Sequence, residues 1–218
     1  MKCKAIIFDL DGTLTDTLRD LCESTNYALR HMEWPERTMD EVRQFVGNGV
    51  RRLMEQAVPS DCEEWEFDEC FRVFQDYYID HCQDHTDLYP GIAELLAELK
   101  RRGYRMAIVS NKMQPGVDEL RDAFFKDTIS VTIGERPGLR RKPFPDMVEM
   151  ALKALDVDAS EAIYVGDSEV DMATARNAGL PCISVLWGFR DRDYLREIGA
   201  FRMIESPEEL IGVIENDD

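Results

Sequence analysis

Three short apolar segments of this 218-residue chain end abruptly in polar groups. Ala5-Ile6-Ile7-Phe8 leads into Asp9, Leu10, Asp11, Gly12 and Thr13. The segment 104–109 leads into Ser110, Asn111 and Lys112. The segment 162–165 leads into Gly166, Asp167 and Ser168, with Asp171 one helical turn further on. A fourth polar group, Arg140-Arg141-Lys142-Pro143, stands just ahead of a helical pattern. One Asp at a strand end is an ordinary turn or cap residue. Asp9, Asp11 and Asp167 together need another explanation, because carboxylates gathered without a cation repel one another. A hard, oxygen-rich set of this kind suits Mg²⁺. A carboxylate at a fixed position can also attack phosphorus and form an acyl-phosphate. Asp9 and Asp11 are two residues apart, so one can attack while the other reaches the leaving oxygen as general acid. The Ser110 hydroxyl, backbone N–H groups and the Lys142 ammonium can hold the non-bridging oxygens, whose charge must be stabilised in the transition state.

The elements that must position these groups follow from periodicity. Residues 4–9 read as a buried strand, a short apolar run ending in charge. Leu18, Leu21, Cys22, Thr25, Ala28, Leu29 and Met32 keep helical spacing. Thr38 with Glu41 is a capping-box pattern for a second helix. Val50, Leu53, Met54 and Ala57 mark a third helix, and Phe67, Phe71, Phe74 and Tyr78 a fourth. After Pro90-Gly91 the texture changes. Strands expected at 104–109, 129–133, 162–165 and 182–186 alternate with helices near 92–99, 117–124, 147–155 and 172–178. Ser206-Pro207-Glu208-Glu209 opens a last helix with Pro at its first position. Such alternation implies an α/β fold with a doubly wound, Rossmann-like parallel sheet covered on both faces. The expected division is a catalytic core of residues 1–16 and 85–218, interrupted by a helical cap at 17–84. In doubly wound sheets ligands bind beyond the carboxyl ends of the strands, where the polar groups fall.

In that context the motifs resemble a known family. Asp9-Leu10-Asp11-Gly12-Thr13-Leu14, Ser110-Asn111, Lys142-Pro143 and Gly166-Asp167-Ser168-x-x-Asp171 are similar, in order, to the four motifs of the haloacid dehalogenase superfamily. Within it the chain most resembles the phosphoglycolate phosphatases. The resemblance implies Mg²⁺-dependent hydrolysis of a small phosphate monoester through an aspartyl-phosphate. It makes Asp9 the nucleophile and a metal ligand, and Asp11 the general acid/base, lending its backbone carbonyl to the metal. It makes Ser110 and Lys142 phosphate-binding, with Asn111 shaping the phosphate pocket. Asp167 becomes a direct metal ligand and Asp171 a support for the metal's water shell. Asp11 sets the chain apart from the dehalogenase branches, which lack an acid there. Resembling sugar phosphomutases carry Glu before the Asp of the last motif, where Gly166 stands here, which favours hydrolysis. The alternatives are a sugar phosphomutase, a pyrophosphate or phosphonate hydrolase, or a regulatory protein that binds a phosphorylated metabolite. The resemblance also turns the cap loop Gly47-Asn48-Gly49-Val50-Arg51-Arg52 toward the active site. Arg51 or Arg52 could then meet a substrate carboxylate through bidentate geometry. A plain helix start with solvated arginines explains this loop equally well.

Composition bounds the remaining possibilities. Apolar residues make up 44% and charged residues 32%, as in ordinary globular chains. No apolar run approaches the ~20 residues that span a bilayer. Met1-Lys2-Cys3-Lys4 has no signal-peptide character, so a cytoplasmic location is expected. The net charge of −18 repels nucleic acid and anionic membrane. The expected partner is a small phosphorylated metabolite, and the expected assembly a monomer or small homo-oligomer. Six cysteines without a C-x-x-C pair are expected to be reduced. His81, Cys82 and His85 lie close in sequence but belong to no tetrahedral ligand set.

Overall fold

A computed structural model of the chain describes residues 3–216. They form two compact units, one running up to Thr15 and resuming at Leu88, the other spanning Asp16–Asp87. Strand β1 (Ala5–Phe8) is buried at all four residues. A short β2 (Thr15–Asp16) leads into helices α1 (Leu18–His31), α2 (Met39–Phe45), α3 (Val50–Ala57) and α4 (Glu64–His81). After β3 (Asp87–Leu88), which pairs with β2, come α5 (Ile92–Arg101) and β4 (Arg105–Met113). Helix α6 (Gln114–Leu120) runs into one π-helical turn, Arg121–Phe125, and then β5 (Val131–Glu135). The chain closes with α7 (Asp146–Leu155), β6 (Ala162–Gly166), α8 (Glu169–Ala178), β7 (Cys182–Val185), α9 (Arg192–Glu197), β8 (Met203–Ile204) and α10 (Glu209–Glu215).

The larger unit holds a six-stranded sheet in the order β5-β4-β1-β6-β7-β8, with every adjacent pair parallel. The doubly wound α/β architecture expected from the alternation is thus present. Side chains alternate across the pleat, so β1 feeds two cores. Ile6 and Phe8 pack with Leu96, Leu99, Ile108 and Ile214, while Ala5 and Ile7 pack with Val109, Met147, Ala151 and Tyr164 on the other face. Burial on both faces is why these strands read as continuous apolar runs. β1 lies between β4 and β6 in matched register, Phe8 beside Ile108 and Val165. The polar residues at the carboxyl ends of these three strands therefore emerge together at one edge.

The smaller unit is helical. α2 opens on the expected capping box, with the Glu41 N–H on Thr38 Oγ1 at 3.2 Å and the Thr38 N–H on Glu41 Oε2 at 2.8 Å. α1 packs on α4, whose Phe67, Phe71, Phe74 and Tyr78 rings stack successively. Among the described residues no helix is long and apolar enough to cross a membrane.

Some boundaries differ from the sequence reading. β5 starts two residues late because the buried Ile129, which mimics a strand residue, donates its N–H to Phe125 O in the turn after the π-helix. The last helix starts at Glu209, with the Ser206 N–H and hydroxyl both on Glu209 Oε1. α9, capped by Asp191, and the two-residue β8 have no periodic signature.

Candidate active site

The site begins where β1 stops. The Asp9 N–H extends the ladder one step by donating to Val165 O at 2.9 Å. The chain then wraps around one carbonyl: Leu10 O accepts from the N–H groups of Thr13, Leu14 and Thr15 and from the Thr15 hydroxyl. This tight turn requires Gly12, whose φ is +85°. A Cβ there would also lie 2.6 Å from Asp167 Oδ2 and 2.7 Å from the Phe189 ring. Asp9 Oδ1 takes the Leu10 N–H at 2.7 Å and the Lys142 ammonium at 2.7 Å, which fixes the rotation of the carboxylate.

Lys142 is the hub on the cationic side. Its Nζ also lies 2.8 Å from Asp171 Oδ1 and 3.2 Å from the Tyr164 hydroxyl. Its backbone is gripped by Asn111, whose Oδ1 accepts the Lys142 N–H at 2.8 Å and whose Nδ2 donates to Lys142 O at 3.2 Å. Asp171 is the hub on the anionic side. Oδ1 accepts from Lys142 and Tyr164, while Oδ2 accepts from the N–H groups of Asp167 and Ser168 and from the Ser168 hydroxyl. Asp171 thereby also closes the capping box of α8. Asp167 receives the Phe189 N–H on Oδ2 at 2.8 Å and the Thr13 hydroxyl on Oδ1 at 3.4 Å.

The electrostatics are unbalanced. Carboxylate oxygens of the buried Asp9, Asp167 and Asp171 all lie within 4.8 Å of one another. Burial, and then the Asp171 charge, push Asp9 well above the usual carboxylate range despite Lys142. The same two causes raise Asp167 to about 7. Burial pushes Asp171 upward too, but Lys142 and the Ser168 bonds outweigh it and hold the group low. Burial alone would depress Lys142, yet Asp171 and Asp9 keep it above its ordinary value. Burial, Asp171 and Asp9 raise Tyr164, so it stays a neutral phenol. One ammonium among three buried carboxylates leaves negative charge that a hard divalent cation fits. The lone pairs of Asp171 are taken up by donors, so Asp9 and Asp167 are the carboxylates with oxygens to give.

The other expected residues divide between the units. Ser110, in β4, is buried, and its Oγ accepts the Lys112 N–H at 3.1 Å. Asp11 is partly exposed and lies 3.5 Å from Lys112 Nζ. Arg51 and Arg52 stand in α3 of the smaller unit. The Arg51 guanidinium lies over the Phe67 and Phe71 rings, at 5.1 and 4.7 Å, and Arg52 pairs with Glu55. His81 pairs with Asp84 and His85 with Glu23, so these histidines do not converge. Three participants were given no role in the sequence reading: Tyr164, the Phe189 N–H and the Lys112 ammonium. Only Lys112 carried a signal, as a charge directly behind Ser110 and Asn111.

A family model described as haloacid dehalogenase-like hydrolase matches residues 6–185. The chain belongs to that family. Among haloacid dehalogenase-like hydrolases it is similar to a phosphoglycolate phosphatase of Mesorhizobium japonicum, 34% identical over 88% of this chain and 86% of that one. It is 35% identical to a phosphoglycolate phosphatase of Rhodobacter capsulatus over 85% of each chain. A crystal structure of a candidate phosphoglycolate phosphatase from Lactobacillus delbrueckii subsp. bulgaricus superposes with a TM-score of 0.93 at 35% identity, covering 98% of this chain and 99% of that one.

Proposed function

We propose that this hydrolase cleaves a small phosphate monoester of the phosphoglycolate kind, with Mg²⁺ as cofactor and Asp9 as nucleophile. The observation that carries the reading is the buried set of Asp9, Asp167 and Asp171 around the single Lys142 ammonium, at the carboxyl edge of the sheet. The names of the relatives support the substrate class. Asp9 and Asp167, with the Asp11 backbone carbonyl, are the groups to hold Mg²⁺, which when bound neutralises phosphoryl charge. An Asp9 carboxylate oxygen attacks phosphorus, and the bond from phosphorus to the ester oxygen breaks. The Asp11 carboxyl delivers a proton to that departing oxygen. Ser110 and Lys142 hold the non-bridging oxygens. In the second half water attacks the phosphorus, Asp11 takes its proton, and the bond to Asp9 breaks to release inorganic phosphate. Lys142 can do this work because Asn111, Asp171 and Tyr164 fix it before substrate arrives.

Gly166 bears on the mutase alternative. A Cβ at this position would lie 2.4 Å from Asp171 Cβ and Cγ, so a glutamate here would displace Asp171. Turnover of a chromogenic phosphate monoester with and without Mg²⁺ tests the reaction class, and a panel of phosphorylated metabolites tests the substrate. Asp9→Asn should abolish turnover while leaving the fold intact, since the near-isosteric amide cannot form the acyl-phosphate. Clear residual activity in that variant, or full activity in excess chelator, would overturn the proposal.

A further inference from the structure

One buried cation stands beside this chemistry without a part in it. The Lys112 side chain, on β4, is only 4% exposed. Lysine is rarely buried to this degree unless its charge is paired. Its stem runs along α6, where Gly116 makes room: a Cβ at Gly116 would come within 3.2 Å of Lys112 Cε. The ammonium ends 3.5 Å from Asp11 Oδ1, at the far limit of a hydrogen bond.

The position has a direction. Ser110, two residues back on the same strand, accepts the Lys112 N–H on Oγ and is the hydroxyl proposed above for the non-bridging oxygens. Asp11 is on the leaving-group side, because it must reach the departing oxygen. A cation next to Asp11 therefore faces whatever is attached to that oxygen. The other lysine of the site, Lys142, is held by Asp9, Asp171 and Tyr164 and cannot turn that way. In a chain of net charge −18, a cation at this spot favours the entry of an anionic leaving group.

We propose that Lys112 is the specificity-determining residue for a carboxylate on the leaving group, one carbon beyond the ester oxygen. The inference rests on the phosphatase reading above and deepens it. The ammonium, beside Asp11, makes a charge-assisted hydrogen bond to the substrate carboxylate. This bond is made in the ground state and the transition state alike, so it acts mainly through KM.

Two substrates differing only in that group test the assignment: phosphoglycolate and 2-hydroxyethyl phosphate, whose terminal group is neutral. The readout is the ratio of their kcat/KM values in the wild type, Lys112→Met and Lys112→Arg. In Lys112→Met the ratio should fall about 10- to 100-fold in disfavour of phosphoglycolate, the usual weight of a hydrogen bond to a charged group. Most of the change should lie in KM, and Lys112→Arg should recover part of it. A ratio unchanged within about twofold, whether both activities fall or neither does, would overturn the assignment while leaving the phosphatase reading intact. A wild-type enzyme that turns over 2-hydroxyethyl phosphate but not phosphoglycolate would overturn the substrate reading, and Lys112 with it.

Discussion

Asp171 accepts five hydrogen bonds with two oxygens, from Lys142, Tyr164, the Asp167 and Ser168 N–H groups and the Ser168 hydroxyl. That saturation gives it a structural part in the chemistry. It holds Lys142 against Asp9 and ties the loop bearing Asp167 to the start of α8. Tyr164 supports the same contact from the strand side, 3.2 Å from Lys142 Nζ and 3.1 Å from Asp171 Oδ1. Tyr164→Phe removes those bonds while Lys142 keeps both carboxylates. We expect kcat to fall about 10-fold, the low end for a hydrogen bond to a charged group because Lys142 and Asp171 still hold each other, with Mg²⁺ dependence retained. A loss in the thousands measured by steady-state kinetics would instead make the phenol a direct participant. Tyr164 also marks the limit of the sequence. Asp9, Asp11, Ser110 and Asp167 were legible because a polar group following an apolar run stands out, and Lys142 because a basic cluster stands just ahead of a helical pattern. A tyrosine inside Ala162–Gly166 reads only as one more apolar strand residue, since pattern carries no information about where a hydroxyl points. Asn111 shows a related limit: the resemblance assigns it to shaping the phosphate pocket, but that its amide clasps the Lys142 backbone has no sequence signal.

Elements were legible where one period dominates. β1, β4 and β6 announce themselves as apolar runs, and α1 and α4 by their helical stripes. Burial outside a strand misled at Ile129, and β8, at two residues, is too short to have a period. Within the smaller unit one contact has no sequence signature at all. Asp20, in the first turn of α1, is buried and accepts from the N–H groups of His85 and Thr86 and from the Thr86 hydroxyl. It ties the start of the insertion to its end, 65 residues later. Asp20→Asn would face these donors with an amide in place of one oxygen. We expect a loss of about 2–3 kcal/mol, read as a lower melting temperature, with the chemistry at Asp9 unaltered. An unchanged melt would mean that the insertion is closed by its helix packing alone. The arginines of α3 carry a separate proposal, that the insertion takes part in choosing the substrate. Arg51 is laid on Phe67 and Phe71 and Arg52 is exposed beside Glu55. Arg52→Ala should then lower kcat/KM for phosphoglycolate and leave an aryl phosphate nearly unaffected. Parallel loss on both substrates would remove the insertion from that role.

At the scale of the whole molecule, the proposed Mg²⁺ site would couple metal binding to folding through the uncompensated acids at the sheet edge. A carboxyl whose pKa is raised in the folded state keeps a proton that the unfolded chain has released. Its contribution to stability is greatest below the unfolded pKa of about 4 and is lost as pH rises through the folded value. Asp9 and Asp167 are both raised, Asp167 to about 7. The metal-free protein should therefore melt at lower temperature as pH rises from about 5 to about 7.5. Surface ion pairs work with the opposite sign but in another window. Glu98, held by Arg101 and Arg102 at about 2, is a partly exposed surface group and favours folding as pH rises only below about 4.5. The two effects do not overlap, so the fall above pH 5 belongs to the buried acids. Mg²⁺ that binds only the folded state stabilises it by mass action. It competes with the protons on Asp9 and Asp167, so its effect should grow as they leave. The gap in melting temperature between millimolar Mg²⁺ and chelator should widen steadily with pH, and should close in Asp167→Asn. A general screening of the −18 net charge would act differently. KCl of matched ionic strength would then reproduce the stabilisation at every pH, and Asp167→Asn would respond like the wild type. A gap independent of pH, or one matched by KCl, would detach the metal from these carboxylates.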